Sequence, residues 1–84
     1  MKDKTLTIRI LTPEGTLFEG TAAAVFLPGT VSPFEVLPAH APIISALSAG
    51  DIRVVDGAEE QRFPVLGGVV KVRDNVITVC AEIA

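Results

Sequence analysis

The run APIISALSAG, residues 41–50, decides whether the chain is all-β or carries a helix. Ile43, Ile44 and Leu47 stand at helical spacing, and Pro42 is permitted at a helix start. The run is shorter than about three helical turns. Its Ser and Ala content decides little. The reading adopted is strand, with a short helix as the alternative.

Outward from this run the periodicity is that of strands. TLTIRIL (5–11) places Leu6, Ile8 and Ile10 on one face and Thr5, Thr7 and Arg9 on the other. PEG (13–15) is a turn, with Pro13 suited to its second position and Gly15 to a positive φ. GTAAAVFLPG (20–29) reads as one short apolar strand between glycines. DIRVVDG (51–57) is a strand ending in an Asp56-Gly57 hairpin signal. EEQRFPVLGGVVKVRD (59–74) reads as two strands broken around Pro64 and Gly67-Gly68, since proline donates nothing to a ladder and paired glycines mark a bulge or close approach. Asp74-Asn75 is a turn, and VITVCAEI (76–83) is the last strand. The pattern predicts an all-β fold: a small two-sheet β-sandwich, or flattened barrel, of about 8–10 short strands. It forms a single domain over residues 1–84, without internal repeat or linker. Phe34, Ile52, Val54, Val70 and Val72 are expected between the sheets. Cys80 is expected to pack inside with Ile77, Val79 and Ala81.

The chain is small, 84 residues, and 49 % hydrophobic. A domain of this size buries only about 60–65 % of its unfolded surface, so it needs good packing or a partner. No apolar run reaches the roughly 18–20 residues that span a bilayer. The start, MKDKTLTIRILTPEG, is charged and then alternating, unlike a secretory signal, which points to the cytoplasm. The net charge is −3, and the seven basic residues Lys2, Lys4, Arg9, Arg53, Arg62, Lys71 and Arg73 are scattered. With neither a basic stripe nor any Tyr or Trp for stacking, nucleic acid is not expected as a partner. A basic membrane-binding helix is also missing, so contact with a membrane is expected only indirectly.

Catalysis needs a cluster of groups. His40 is the only histidine, and the only thiol, Cys80, lies far along the chain in a run of small apolar residues. Asp51, Asp56, Glu59 and Glu60 lack metal-ligand spacing, and Glu59-Glu60 reads as a solvated hairpin tip. LPGT and LGGV lack the strand–glycine–helix context of a phosphate loop. No catalytic, metal or cofactor residue is therefore assigned, and no cofactor or small-molecule substrate is expected.

Two features point to docking instead. AAAVFL, GGVV and VITVCA are apolar on both strand faces, where one face of a sandwich sheet should meet water. Such a surface suits a partner. Residues 28–42 carry Pro28, Pro33, Pro38 and Pro42, which reads as a stiff, extended excursion that presents His40 at a docking edge.

The ordered set FEG near position 20, Gly29, HAP (40–42), Leu47, GDIRV (50–54), GGVVKV (67–72) and VITVCAE (76–82) resembles the N-terminal β-sandwich domain of the epsilon subunit of F-type ATP synthases. The resemblance covers about residues 5–83, and its most specific part is HAP…L..GDIRV followed by GGVVKV…VITVCAE. It implies a non-enzymatic rotor subunit in the central stalk of a proton-translocating enzyme, peripheral on the cytoplasmic face of the inner membrane. The implied partners are the gamma subunit, covering one sheet, and the membrane ring of c subunits, meeting one end. By the same resemblance Thr30, Val31, Ser32, Pro33 and His40 are candidates for ring contact. Pro33 and Glu35 depart from the family's usual residues there. The family's helical second domain, which follows the sandwich, is expected to be absent because the sequence stops at Ala84. The alternative is a free-standing β-sandwich interaction module.

Overall fold

A computed structural model describes residues 5–84; Lys2, Lys4 and the charged start lie outside the described residues. The described residues form nine strands and no helix. β1 (Leu6–Thr12) and β2 (Gly15–Ala22) make a hairpin across Pro13-Glu14. β3 (Ala24–Leu27) and β4 (Phe34–Val36) make a second. β5 (Ile43–Leu47), β6 (Gly50–Asp56), β7 (Glu59–Val65), β8 (Gly67–Arg73) and β9 (Val76–Glu82) follow. One sheet has the order β2-β1-β9-β8-β5 and the other β4-β3-β6-β7. The pairing of β1 with β9 is parallel, and every other is antiparallel. The sandwich is as expected.

Ile43–Leu47 within APIISALSAG form strand β5, paired with β8 from Ile43↔Val72 to Leu47↔Gly68. A helix would have put Ile43, Ile44 and Leu47 on one face. The strand instead buries Leu47, half-buries Ile43 and leaves Ile44 75 % exposed.

GTAAAVFLPG is not one strand. The chain bends at Ala23 and passes from the five-stranded to the four-stranded sheet, splitting the run between β2 and β3. That corner explains why Ala22 and the adjacent pair Ala24 and Val25 are all buried. Pro64 lies inside β7, which tolerates it as an edge strand. The same sheet switch occurs at Leu66, whose amide donates to the Glu82 carbonyl at 2.7 Å. Gly57 and Ala58 form the two-residue loop between β6 and β7, one position beyond the expected turn, with Gly57 at φ 67°. Asp74 and Asn75 both take positive φ, the geometry of a tight hairpin.

The interior holds Leu6, Ile8, Ile10, Val25, Leu27, Val36, Ile52, Val70, Val72, Ile77 and Val79, each under 2 % exposed. Among the described residues no polar side chain is buried, so the core needs no internal ion pairs. Burial of a single such Ile or Val is worth about 1.5–3 kcal/mol. Ile52, Val54, Val70 and Val72 are core residues as expected, and Phe34 packs half-buried against them.

Cys80 is exposed, contrary to the expectation. In β9 the buried residues are Ile77, Val79 and Ala81, so alternation turns Val76, Thr78, Cys80 and Glu82 outward. The run is apolar at both parities, and only packing against the second sheet selects one of them.

Candidate functional site

The two outer faces of the sandwich differ in chemistry. On the four-stranded sheet, Arg53 donates to both carboxylate oxygens of Glu60, at 3.1 and 3.2 Å, and Arg62 donates to the same group at 2.9 Å. Arg62 also lies 3.6 Å from Asp51. The Arg53 guanidinium sits 4.5 Å above the Phe26 ring centroid. Glu60 is thus held by two arginines rather than standing free at a hairpin tip. The hydrogen bond from Arg53, with the charges of both arginines, pulls its carboxyl below the usual range. Four charged side chains of this face thus pair with one another.

The five-stranded sheet is covered less: Arg9 pairs with Glu19 at 3.6 Å towards the β2 edge, and the rest of its outward face is largely apolar. Read across the strands, one row of outward side chains is Ala46, Val69, Cys80 and Leu11, matched by the registers Ala46↔Val69, Val69↔Cys80 and Leu11↔Cys80. Val69 is 49 % exposed, and Ile44 stands on the same face of β5. The next row runs Ile44, Lys71, Thr78, Arg9 and Glu19. Val76, 40 % exposed, extends the apolar surface towards the Asn75 turn. Of the runs suspected of being apolar on both faces, GGVV and VITVCA supply this surface; AAAVFL instead spends its extra apolar residues at the Ala23 corner. The sequence reading assigns none of Ile44, Ala46 and Leu11 to a docking surface. Their signal lay in outward positions of short strands that hold apolar residues instead of polar ones.

The proline segment is not extended throughout. Its first part is a bend, Thr30–Ser32, at the β3–β4 connection. Here the Thr30 amide donates to Ala46 at 3.2 Å and Gly29 bridges Leu47, fastening the loop to the end of β5. Thr30, Val31, Ser32 and Pro33 are all exposed, and Val31 is 99 % so. β4 then runs back along β3. Next comes a tight turn, Leu37–His40, closed by the His40 amide on the Leu37 carbonyl at 3.1 Å. Pro38 fits its second position, and Ala39 adopts φ 68° at its third. The Ala39 amide donates to Asn75 Oδ1 at 2.7 Å. Two prolines therefore do not hold His40 extended; a turn places it, half-buried, with Nδ1 donating to the Ala41 carbonyl at 2.8 Å.

These placements separate the candidate residues. Thr30 meets the Leu47 end of β5, whereas His40 precedes the Ile43 end beside the Asn75 turn. The four residue steps along β5 between those ends span about 13 Å. Thr30–Pro33 form one exposed group, and His40 belongs to the opposite strand ends.

Comparison with known proteins gives a consistent picture. The family described as "ATP synthase, Delta/Epsilon chain, beta-sandwich domain" matches residues 5–84. The chain is 39 % identical over 79 residues to an ATP synthase epsilon chain of Synechococcus elongatus, covering 94 % of this chain and 58 % of the relative. Identity to that of Pelotomaculum thermopropionicum is 38 % over 84 residues, covering 100 % of this chain and 63 % of the relative. The chain thus spans less than two thirds of the length of these relatives. In structure it superposes on a chain of the Euglena gracilis mitochondrial ATP synthase (OSCP, F1 and c-ring) with a TM-score of 0.86, at 17 % identity, covering 93 % of this chain and 51 % of that one. A chain of the Tetrahymena thermophila mitochondrial ATP synthase central stalk and c-ring gives a TM-score of 0.76 at 14 % identity, covering 92 % and 63 %.

Proposed function

Because the chain belongs to the family of ATP synthase delta/epsilon chain β-sandwich domains, we propose that it is a non-catalytic central-stalk subunit of a proton-translocating F-type ATP synthase. In this reading it links gamma to the membrane ring of c subunits and supports the coupling of proton flow to ATP synthesis. It sits peripherally on the cytoplasmic face of the inner membrane, held there through the complex.

The observation that carries the reading is the asymmetry of the two faces. The four-stranded sheet pairs Arg53, Arg62, Glu60 and Asp51 with one another on its outward face. The five-stranded sheet turns Ile44, Ala46, Val69 and Cys80 to solvent. Covering that second face removes apolar area from water, at about 25 cal/mol per Å². Gamma is the proposed cover. Ring contact is proposed for Thr30, Val31, Ser32 and Pro33, which project from strand ends rather than from a sheet face. His40 lies at the opposite strand ends, so a ring contact that includes it must span both.

The test is co-purification. Tagged chain recovered from detergent-solubilised membranes should bring gamma and the c subunits with it. Replacement of Val69 by Asp should lose gamma, and a Val31→Asp, Pro33→Asp pair should loosen the ring while gamma stays. Recovery of the tagged chain free of both subunits would refute the proposal.

A further inference from the structure

We propose that the surface covering the five-stranded sheet is an apolar one that carries a carboxylate, and that Lys71 receives it. The inference rests on the docking of that face proposed above and adds the chemistry of the partner.

Five cationic side chains lie among the described residues, and four of them have an acidic neighbour. Arg9 lies 3.6 Å from Glu19, Arg53 3.1 Å from Glu60, Arg62 2.9 Å from Glu60, and Arg73 3.6 Å from Asp74. Among the described residues no carboxylate lies within ion-pair distance of Lys71. Its cross-strand neighbours are Ile44 on β5 and Thr78 on β9, and Val69 flanks it on the same face of β8. Lys71 also lines a shallow depression of about 660 Å³ with Ile43, Ile44 and Arg73.

In solvent an unpaired ammonium at this position costs nothing. Covering the surrounding Ile44 and Val69 takes water from it as well. A desolvated ammonium is strongly unfavourable unless it meets an opposite charge. Its methylene stem can lie along the apolar surface, but its head needs an acceptor. An apolar partner without an acid at this place is therefore rejected, which makes Lys71 a determinant of register and specificity more than of raw affinity. The carboxylate should stand among apolar side chains that reach Val69 on one side and Ile44 on the other.

The experiment measures the dissociation constant of the chain for gamma, from the same complex, at low and high salt. Circular dichroism checks that each variant is folded. Val69→Asp should abolish binding, which tests the face itself. Lys71→Met should weaken binding by about 10- to 100-fold and remove most of its salt dependence. Lys71→Arg should retain most of the affinity, and Lys71→Glu should bind more weakly than Lys71→Met. If Val69→Asp abolishes binding but Lys71→Met binds as well as or better than wild type, the face reading stands and the carboxylate is refuted. If Val69→Asp binds normally, the face reading fails and this inference with it. A dimer of the chain that Val69→Asp dissociates, with gamma binding unchanged, would assign the face to a second copy and overturn both.

Discussion

Replacement of Gly68 by Ala should be among the most damaging single-methyl changes in the chain. Gly68 lies in β8 at φ 149°, a backbone conformation that residues with a Cβ rarely take. Its register partner in β9 is Ala81. A methyl built there overlaps the Cys80 carbonyl oxygen and comes within 3.0 Å of the Ala81 Cα. Both are backbone atoms of the neighbouring strand, so neither can swing aside as a side-chain tip would. The strained backbone costs about 1–3 kcal/mol. Displacing β9 adds about 1–3 kcal/mol, the usual range for overpacking. The sum, about 2–6 kcal/mol, stands against a stability of about 4–13 kcal/mol for a domain of this size. Gly57→Ala is the control, because Gly57 also has positive φ but a methyl there meets nothing within 4 Å. It should cost only the backbone strain, about 1–2 kcal/mol. Urea unfolding followed by far-UV circular dichroism gives both numbers, provided the slopes stay equal. Equal losses for the two variants would refute the reasoning, because crowding between β8 and β9 would then contribute nothing.

Three further outcomes are expected. The Cys80 thiol should react with a disulfide reagent in the native chain at a rate close to that in denaturant, and slowly in a complex where gamma covers the sheet as proposed; slow reaction of the free native chain would put the thiol inside. Ala39→Gly should raise stability by about 0.5–1 kcal/mol, because relief of the positive-φ strain exceeds the entropy glycine adds to the unfolded chain; a lowered melting temperature would show that Ala39 bears no strain. Because the Glu60 carboxyl is held below its ordinary value, its pairing stabilises the fold above the unfolded carboxylate range, and that contribution disappears as pH falls through the lowered folded value. An NMR titration should place Glu60 below a free glutamate, with Arg53→Gln moving it back up; an unchanged titration in that variant would count against the ion pair.

Much of the proposed docking surface was legible in the sequence as an anomaly of composition. The sequence has too many apolar residues at both parities of its late strands, and that excess became Val69, Val76 and Cys80 on one outer face. What could not be read was which parity faces in. In TLTIRIL the choice is forced, since Thr7 and Arg9 cannot share a side with a dry core, and Leu6, Ile8 and Ile10 are buried as expected. In VITVCA neither side is polar enough to force it, and Cys80 was assigned to the wrong one. The proline segment failed for a different reason. Proline fixes its own φ and biases its predecessor, but the turn at Leu37–His40 also depends on Ala39 at positive φ, fastened to Asn75 from another hairpin.

Local chemistry in the chain determined most of the strands and turns, because alternation and turn residues act over a few neighbours. Sheet membership was decided only in three dimensions. The corner at Ala23, the switch at Leu66 and the parallel pairing of β1 with β9 join residues far apart in the chain. Each depends on how two sheets close over one core, and the energy of that closure belongs to contacts the sequence does not place side by side. The same closure set Thr30 and His40 at opposite strand ends: β4 runs back along β3 for its three residues before the chain turns into β5.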